Sequence, residues 1–149
     1  MSTADLKIPP GFQPATMGGD FIGHVGPFYI YHEGDVVLMG FRVEKRHTNP
    51  FEICHGGMLA SFADMLLPIT VHRKSKEVGH RFLPTISLQV DYLAPAALGA
   101  WVQGEAQVLR ATRSIVFVQG TVTADGAPCM RVSGIFKIGP AFKPPVVEG

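Results

Sequence analysis

The sequence has no apolar run long enough to cross a membrane. Its most apolar segment, residues 56–71, is shorter than the ~20 residues that a spanning helix needs, and Asp64 lies in its middle. Charged residues are few, at 17% of the chain, and 13 Lys and Arg nearly balance 12 Asp and Glu. This balance gives no general attraction to nucleic acid or to an anionic membrane, so an anionic ligand must be bound by a local basic cluster.

Cysteine is also scarce. Cys54 and Cys129 are far apart in a sequence without a signal-peptide pattern, which predicts reduced thiols in a cytoplasmic protein. Cys54 precedes His55, but consecutive side chains usually point apart, and a buried Cys is more often an apolar filler than a nucleophile. The histidines lack the close spacing of metal ligands, so we expect no metal site.

The chain length suits one domain, and 46% hydrophobic residues can supply a core. Proline and glycine are frequent at both ends. We therefore predict an N-terminal arm over residues 1–21, with at most a short helix, a folded domain over residues 22–139 and an irregular tail over residues 140–149.

Within the domain, apolar residues recur at every second position, which is typical of half-buried strands. The predicted strands cover residues 28–32, 36–44, 86–92, 101–109, 114–123 and 130–138. Gly34-Asp35 and Asp125-Gly126 have the composition of hairpin turns. We expect an antiparallel sheet that is a simple meander after Thr85.

One long segment, about residues 55–73, interrupts the strands with residues that favour a helix. It is apolar on nearly all sides, which predicts a buried helix. The order of elements indicates an α+β fold in which one sheet curls around one central helix.

The predicted start of this helix carries Gly56 and Gly57. Unpaired backbone N–H groups there, together with the positive end of the helix dipole, could stabilise the charge that develops on an acyl carbonyl oxygen. Alternatively, the two glycines only allow close packing of the helix against a strand.

Asp64 is the only acidic residue in this helix. A carboxylate in apolar surroundings costs desolvation energy unless it is paired, which suggests either a catalytic role or a structural one satisfied by Ser61, a backbone amide or a partner subunit. Asp64 lies about 12 Å from Gly56 along a helix that rises 1.5 Å per residue. If both act on one carbonyl, Asp64 must come from a second copy in a two-fold dimer.

Asn49, the run His55-Gly56-Gly57 and the later Asp64 resemble the PaaI-like branch of the hotdog thioesterases. The segment from Asp91 to Ala96 is also similar to that family. The resemblance implies a hotdog fold, an antiparallel sheet wrapped around a long central helix. It also implies hydrolysis of acyl-CoA, with CoA only as part of the substrate, by a homodimer or a dimer of dimers.

The resemblance also implies individual roles. Gly56 would polarise the thioester carbonyl, and Asp64 would activate water or attack as a nucleophile. Asn49 and His55 would position the thioester and water, and Thr85 would orient the water. Glu52 departs from the family pattern, which commonly has Gly at this position; the simplest interpretation is a solvated loop charge.

Further residues are predicted to bind the substrate. Gly57, Met58 and Phe82 would contact the substrate, and Arg110 and Arg113 would bind CoA phosphates, although both arginines could equally form a solvated hairpin rim. Two alternatives remain for the whole chain: a hotdog hydratase or dehydratase, and a non-catalytic module that binds acyl-CoA.

Overall fold

The structure, a computed structural model, describes residues 7–142. The predicted arm and tail therefore lie partly outside the described residues, at residues 1–6 and 143–149. The elements are β1 Gln13–Pro14, α1 Gly19–Val25, β2 Tyr29–Glu33, β3 Val36–Arg42, α2 Gly56–Lys74, β4 Thr85–Tyr92, β5 Trp101–Ala111, β6 Ile115–Ala124 and β7 Ala127–Lys137, with a short 3-10 helix at Lys45–His47. None of the helices within this part of the chain is long and apolar enough to span a membrane.

The core lies between α2 and one face of a seven-stranded antiparallel sheet. The helix contacts all of the strands from β3 to β7. Gly104 lets it approach closely, because a Cβ atom there would lie 2.4 Å from Cδ2 of Leu66. Leu66 is fully buried at this contact, as are Phe62 and Leu67 in the same helix. The predicted α+β arrangement is confirmed.

The periodic segments form strands close to the predicted bounds, and both predicted hairpins are present. Glu33 pairs with Val36 across the first turn, and Ala124 pairs with Ala127 across the second. These turns were predictable because Gly-Asp and Asp-Gly favour the left-handed backbone that tight turns need.

The predicted meander after Thr85 is wrong at its first step. The strand order is β1-β2-β3-β5-β6-β7-β4, so β4 pairs with β7 at the sheet edge and β5 pairs with β3. The connecting segment, residues 93–100, crosses the start of α2, where the amide of Cys54 donates to the carbonyl of Ala96. Sequential strands are often neighbours, but here the helix separates β3 from β4 and the chain returns to the middle of the sheet.

One stripe of α2 is less buried than its composition predicts. Its residues are half-buried and recur at helical spacing: Ala60, Ser61, Asp64, Met65, Pro68 and His72. The neighbouring edge strand β4 also exposes apolar side chains, with Ile86 55% and Tyr92 51% exposed. The described chain therefore has an open surface formed by the α2 stripe and β4.

Candidate active site

The N-terminus of α2 is capped by a histidine side chain. His55 has extended backbone angles, and its Nδ1 accepts a hydrogen bond from the amide of Gly57 at 2.8 Å. Since Nδ1 is the acceptor, the proton of the neutral ring is on Nε2. The amide of Gly56 has no hydrogen-bond partner among residues 7–142. Gly56 is thus the free donor at the positive end of the helix.

The loop before the helix is built around Asn49. Its Oδ1 accepts hydrogen bonds from the amides of Phe51 at 2.9 Å and Ile53 at 3.4 Å. Glu52, within this loop, has φ of 58° and an exposed side chain that lies 3.5 Å from the ammonium group of Lys45. This geometry fits the interpretation of Glu52 as a solvated loop charge. The side-chain NH2 group of Asn49 has no hydrogen-bond partner among residues 7–142 and can donate to a ligand.

Asp64 lies two turns further along α2 and contacts β4. The hydroxyl of Thr85 donates to Oδ1 of Asp64 at 2.6 Å, whereas the hydroxyl of Ser61 donates to the carbonyl of Gly57. Among the described residues, Oδ2 of Asp64 has no hydrogen-bond partner. The carboxylate is therefore held in a fixed orientation with one oxygen available.

The predicted catalytic residues, together with the predicted substrate-binding residue Gly57, fall into two groups in one chain. We call Asn49, His55, Gly56 and Gly57 the amide cluster, and Asp64 with Thr85 the carboxylate pair. Both groups belong to one continuous helix or its immediate contacts, so the separation of about 12 Å along the axis persists in the structure. Gly57, Ser61 and Asp64 nevertheless share one helix face, since they are spaced by four and three residues.

Sequence reasoning missed Tyr92 as part of the site. Its hydroxyl donates to the carbonyl of Gly56 at 2.6 Å, and a Cβ atom on Gly56 would lie 3.2 Å from the Tyr92 ring. Burial, with a smaller contribution from Cys54, raises the Tyr92 pKa, so the hydroxyl remains a donor at neutral pH. The position of Tyr92 at the end of the family-like strand was the only available signal.

The predicted substrate-binding residues lie in two regions. Gly57 and Met58 line a pocket of about 360 Å³ beside the start of α2. The other three are exposed and lie elsewhere: Phe82, Arg110 and Arg113. Backbone hydrogen bonds of Ile138 and Gly139 join the β5–β6 turn to the segment of Phe82. Arg113 also lines a second pocket, of about 320 Å³, with Arg81 and Glu77.

Cys54 is not placed as a nucleophile. Its side chain is 5% exposed, and burial, with a smaller contribution from Cys129, raises its pKa to about 12. The thiol therefore stays protonated near neutral pH. Residues 7–142 contain no group of three or more His, Cys, Asp or Glu side chains placed to hold a metal ion.

Several known proteins are similar to this chain. It is 23% identical over 134 residues to "Putative esterase PA0474" of Pseudomonas aeruginosa, an alignment that covers 89% of this chain and 98% of the relative. A mutant of the phenylacetic acid degradation protein PaaI from Thermus thermophilus superposes with a TM-score of 0.66 and 19% identity, covering 78% of this chain and 96% of that one. A hypothetical thioesterase from Streptococcus pneumoniae, solved with coenzyme A, superposes with a TM-score of 0.66 and 17% identity, covering 77% and 88%.

These superpositions confirm the hotdog fold that the sequence predicted. Residues 51–129, more than half of the chain, match the thioesterase superfamily. The matched region begins in the Asn49 loop and includes both glycines of the helix start and the carboxylate pair. The chain therefore belongs to the thioesterase superfamily.

Proposed function

We propose that this protein hydrolyses acyl-CoA thioesters at sites shared between two subunits. The observation that carries the proposal is the free Gly56 amide at the start of α2 combined with a carboxylate held by Thr85 on the same helix. An amide donor suits the oxyanion of a tetrahedral intermediate, and a fixed carboxylate suits activation of water. Membership of the thioesterase superfamily supports this reaction class.

In the proposed mechanism, the thioester carbonyl oxygen accepts a hydrogen bond from the amide of Gly56. Nε2–H of His55 and the side-chain amide of Asn49 orient the thioester and the attacking water. The hydroxyl of Tyr92 donates to the carbonyl of Gly56 and so fixes the Gly56–Gly57 peptide plane, which adjoins the peptide whose N–H binds the thioester carbonyl.

Asp64 acts from the partner subunit in this mechanism. Its free oxygen takes the proton of the attacking water, or attacks directly to form an anhydride that water then hydrolyses. Thr85 donates to the other oxygen and therefore positions the carboxylate. Collapse of the tetrahedral intermediate breaks the C–S bond, and the CoA thiolate leaves and takes up a proton.

The need for a partner follows from distance. A carbonyl bound at Gly56 cannot reach Asp64 about 12 Å away on the same helix. Two α2 helices packed antiparallel by their half-buried stripes would bring each Asp64 toward the other chain's Gly56. The apolar side chains exposed on β4 give this packing a hydrophobic contribution.

The assay that tests the function follows thiol release from acyl-CoAs of short, long and aromatic acyl groups. Asp64→Asn should lower kcat by roughly 10²–10⁴-fold, the usual contribution of a general base. Binding of a non-hydrolysable thioether analogue should persist. Asp35→Asn, in the exposed β2–β3 turn, is the matched control and should keep full activity.

Two outcomes would contradict the proposal. If wild type binds the analogues and releases no thiol from any substrate, the protein is a binding module. If Asp64→Asn retains wild-type kcat, the carboxylate has a structural role only.

Arg110 and Arg113 are proposed to bind CoA phosphates. Arg110→Ala and Arg113→Ala should each raise KM by roughly tenfold, since a charge-assisted hydrogen bond contributes about 1.5 kcal/mol or more. Arg131→Ala is the matched control, because Arg131 pairs with Asp91 on the exposed sheet face at 3.1 Å. An equal effect of all three substitutions would indicate general charge attraction and not a phosphate site.

A further inference from the structure

The pocket beside the start of α2 has a wall that does not come from the sheet or from α2. Phe21 and Val25 of α1 line it, opposite Gly57 and Met58 of α2. Phe21 is 61% exposed although it is aromatic, and His55 also lines the pocket. The cavity surface is mainly apolar, although Arg46, Thr48 and Ser61 also line it. His55 and Gly57, the two neighbours of Gly56, are part of its lining.

The wall is a seven-residue helix that cannot be stable alone, because isolated helices shorter than about 12 residues are marginal in water. No residue of α1 is fully buried; Ile22 and Val25 pack partly against the core. Its position therefore depends on a few specific contacts.

Those contacts come from the short 3-10 helix that precedes the amide cluster. The guanidinium group of Arg46 donates to the carbonyls of His24 and Gly26 at the end of α1. A cation is favourable at this negative end of a helix. Arg46 is itself oriented by Glu44, at 2.8 Å.

His47 connects α1 to the amide cluster. It is 4% exposed, its Nδ1 accepts from the amide of Glu44, and its Nε2 donates to the carbonyl of Val25 at 2.6 Å. Its own carbonyl accepts from the amide of His55 at 2.8 Å. One buried residue thus fixes both the wall and the residue that caps α2.

We propose that α1 is the wall of the acyl-binding pocket, that Phe21 limits the size of the acyl group, and that Arg46 and His47 are positioning residues. This inference rests on the proposed thioesterase function. A pocket of about 360 Å³ lies near the lower end of the range for ligand sites, so the substrate class is a compact apolar acyl group.

The test compares Phe21→Ala and Phe21→Trp with wild type on hexanoyl-, phenylacetyl- and lauroyl-CoA. Phe21→Ala should raise kcat/KM for lauroyl-CoA relative to hexanoyl-CoA by roughly tenfold, and Phe21→Trp should lower that ratio, because several methylene groups gain or lose space. Val36→Ala is the control, since Val36 is 43% exposed at the start of β3 and belongs to no predicted site. A ratio that changes by less than about twofold in both Phe21 variants overturns the inference.

The same variants are titrated with non-hydrolysable thioether analogues of hexanoyl- and lauroyl-CoA. If wild type hydrolyses no substrate but the ratio of the two Kd values shifts in Phe21→Ala, the proposed role of α1 is supported and the proposed hydrolytic function is wrong. If wild type binds neither analogue, both proposals fail. If wild type hydrolyses its substrates and neither the kcat/KM ratio nor the Kd ratio changes in the Phe21 variants, only the proposal for α1 is wrong.

The positioning residues are tested through Arg46→Met, with Arg46→Lys as the conservative variant. Arg46→Met should lose part of the discrimination between hexanoyl- and lauroyl-CoA, and the amide of Gly26, which donates to Ile22, should exchange hydrogen faster. Hydrogen exchange of the β6 amides should not change. Arg46→Lys should restore part of the discrimination between hexanoyl- and lauroyl-CoA. A lower Tm with unchanged acyl preference would show that Arg46 only stabilises the fold.

Discussion

At the scale of single residues, Glu52 stands out because it holds a left-handed backbone conformation with an L side chain. Its φ is 58°, and its nearest charged group, on Lys45, is 3.5 Å away at an exposed site. The left-handed region costs a non-glycine residue roughly 1–2 kcal/mol, and an exposed ion pair returns little of that. The position therefore has a stability cost that glycine would remove.

Glu52→Gly should raise the free energy of unfolding by about 0.5 kcal/mol, since relief of the backbone strain exceeds the entropy cost of glycine. Urea denaturation measures the change. Asp125→Gly is the contrast: Asp125 also has positive φ, at 47°, but its carboxylate accepts from the amide of Trp101, so glycine there should not stabilise. Destabilisation by Glu52→Gly would indicate that the side chain has a structural contact.

His47 should make stability depend on pH. Burial is the main cause that lowers its pKa below 6.5, and Nδ1 accepts a hydrogen bond, so the fold favours the neutral ring. This contribution is complete above the unfolded pKa of about 6.5 and is lost as pH falls from there toward the folded pKa.

Urea denaturation between pH 7.5 and pH 5 should therefore show falling stability for wild type and a smaller fall for His47→Gln. Part of the fall should remain in this variant, because burial also lowers the pKa of His72. His24→Gln, at an exposed position, serves as the control. Equal pH dependence of wild type and His47→Gln would refute a role for His47.

At the scale of elements, alternation predicted the strands β2 to β7 well. It missed the two-residue β1, which lies in the predicted arm, and it did not predict every strand's neighbour. Alternation identified β4 and β7, because one face of each packs on the core, with Val90 and Val132 paired in register. Alternation does not determine which strand lies beside which. The position of β4 depends on where residues 93–100 cross α2, and that crossing is set by backbone hydrogen bonds such as Leu98 N–H to the carbonyl of Glu52.

The prediction of the candidate site has the same limit, because a local sequence pattern does not show which distant residues meet. The amide cluster is nearly contiguous in sequence, so its residues were predictable as a group. The hydrogen bond from Thr85 to Asp64 joins residues 21 positions apart and was suggested only by resemblance. Tyr92 was missed because its place beside Gly56 depends on a tertiary contact and not on a local pattern.

Helix α2 should be sensitive to any atom added between it and the sheet. Gly104→Ala places Cβ 2.4 Å from a side-chain carbon of the fully buried Leu66, and overpacking of this kind costs about 1–3 kcal/mol. Thermal or urea unfolding measures the loss. Gly23→Ala in α1 is the matched control, because the added Cβ would not be crowded by any other side chain or strand within 4 Å. Alanine is favoured over glycine in a helix, so the free energy of unfolding should rise by up to about 1 kcal/mol. A neutral Gly104→Ala would mean that Leu66 can move.

At the scale of the whole molecule, the open α2 stripe and β4 give the single chain an incomplete surface. Asp64 lies on that stripe, and Thr85 begins that strand. The proposed active site and the proposed subunit contact are therefore one surface, and loss of the dimer should remove activity.

Subunit mixing tests this directly. Asp64→Asn and Asn49→Ala homodimers should each have low activity, whereas dissociated and reassociated mixtures should regain about one quarter of wild-type activity, because half of the dimers contain one intact site. Asp64→Asn mixed with Asp64→Ala is the control and should regain nothing. No recovery in the first mixture, with subunit exchange demonstrated by sedimentation of tagged chains, would place Asp64 and Asn49 in the same subunit's site.

The edge position of β4 also affects the order in which the chain can fold. Asp91 pairs with Arg131, 40 residues later, so during synthesis β4 leaves the ribosome before β7 exists. Until then its apolar side chains lack their native strand partner, and such unpaired strands are prone to aggregate. In refolding followed by pulsed hydrogen exchange, we expect the β5–β6 hairpin to be protected before β4, so Thr85 would reach Asp64 only after that hairpin has formed.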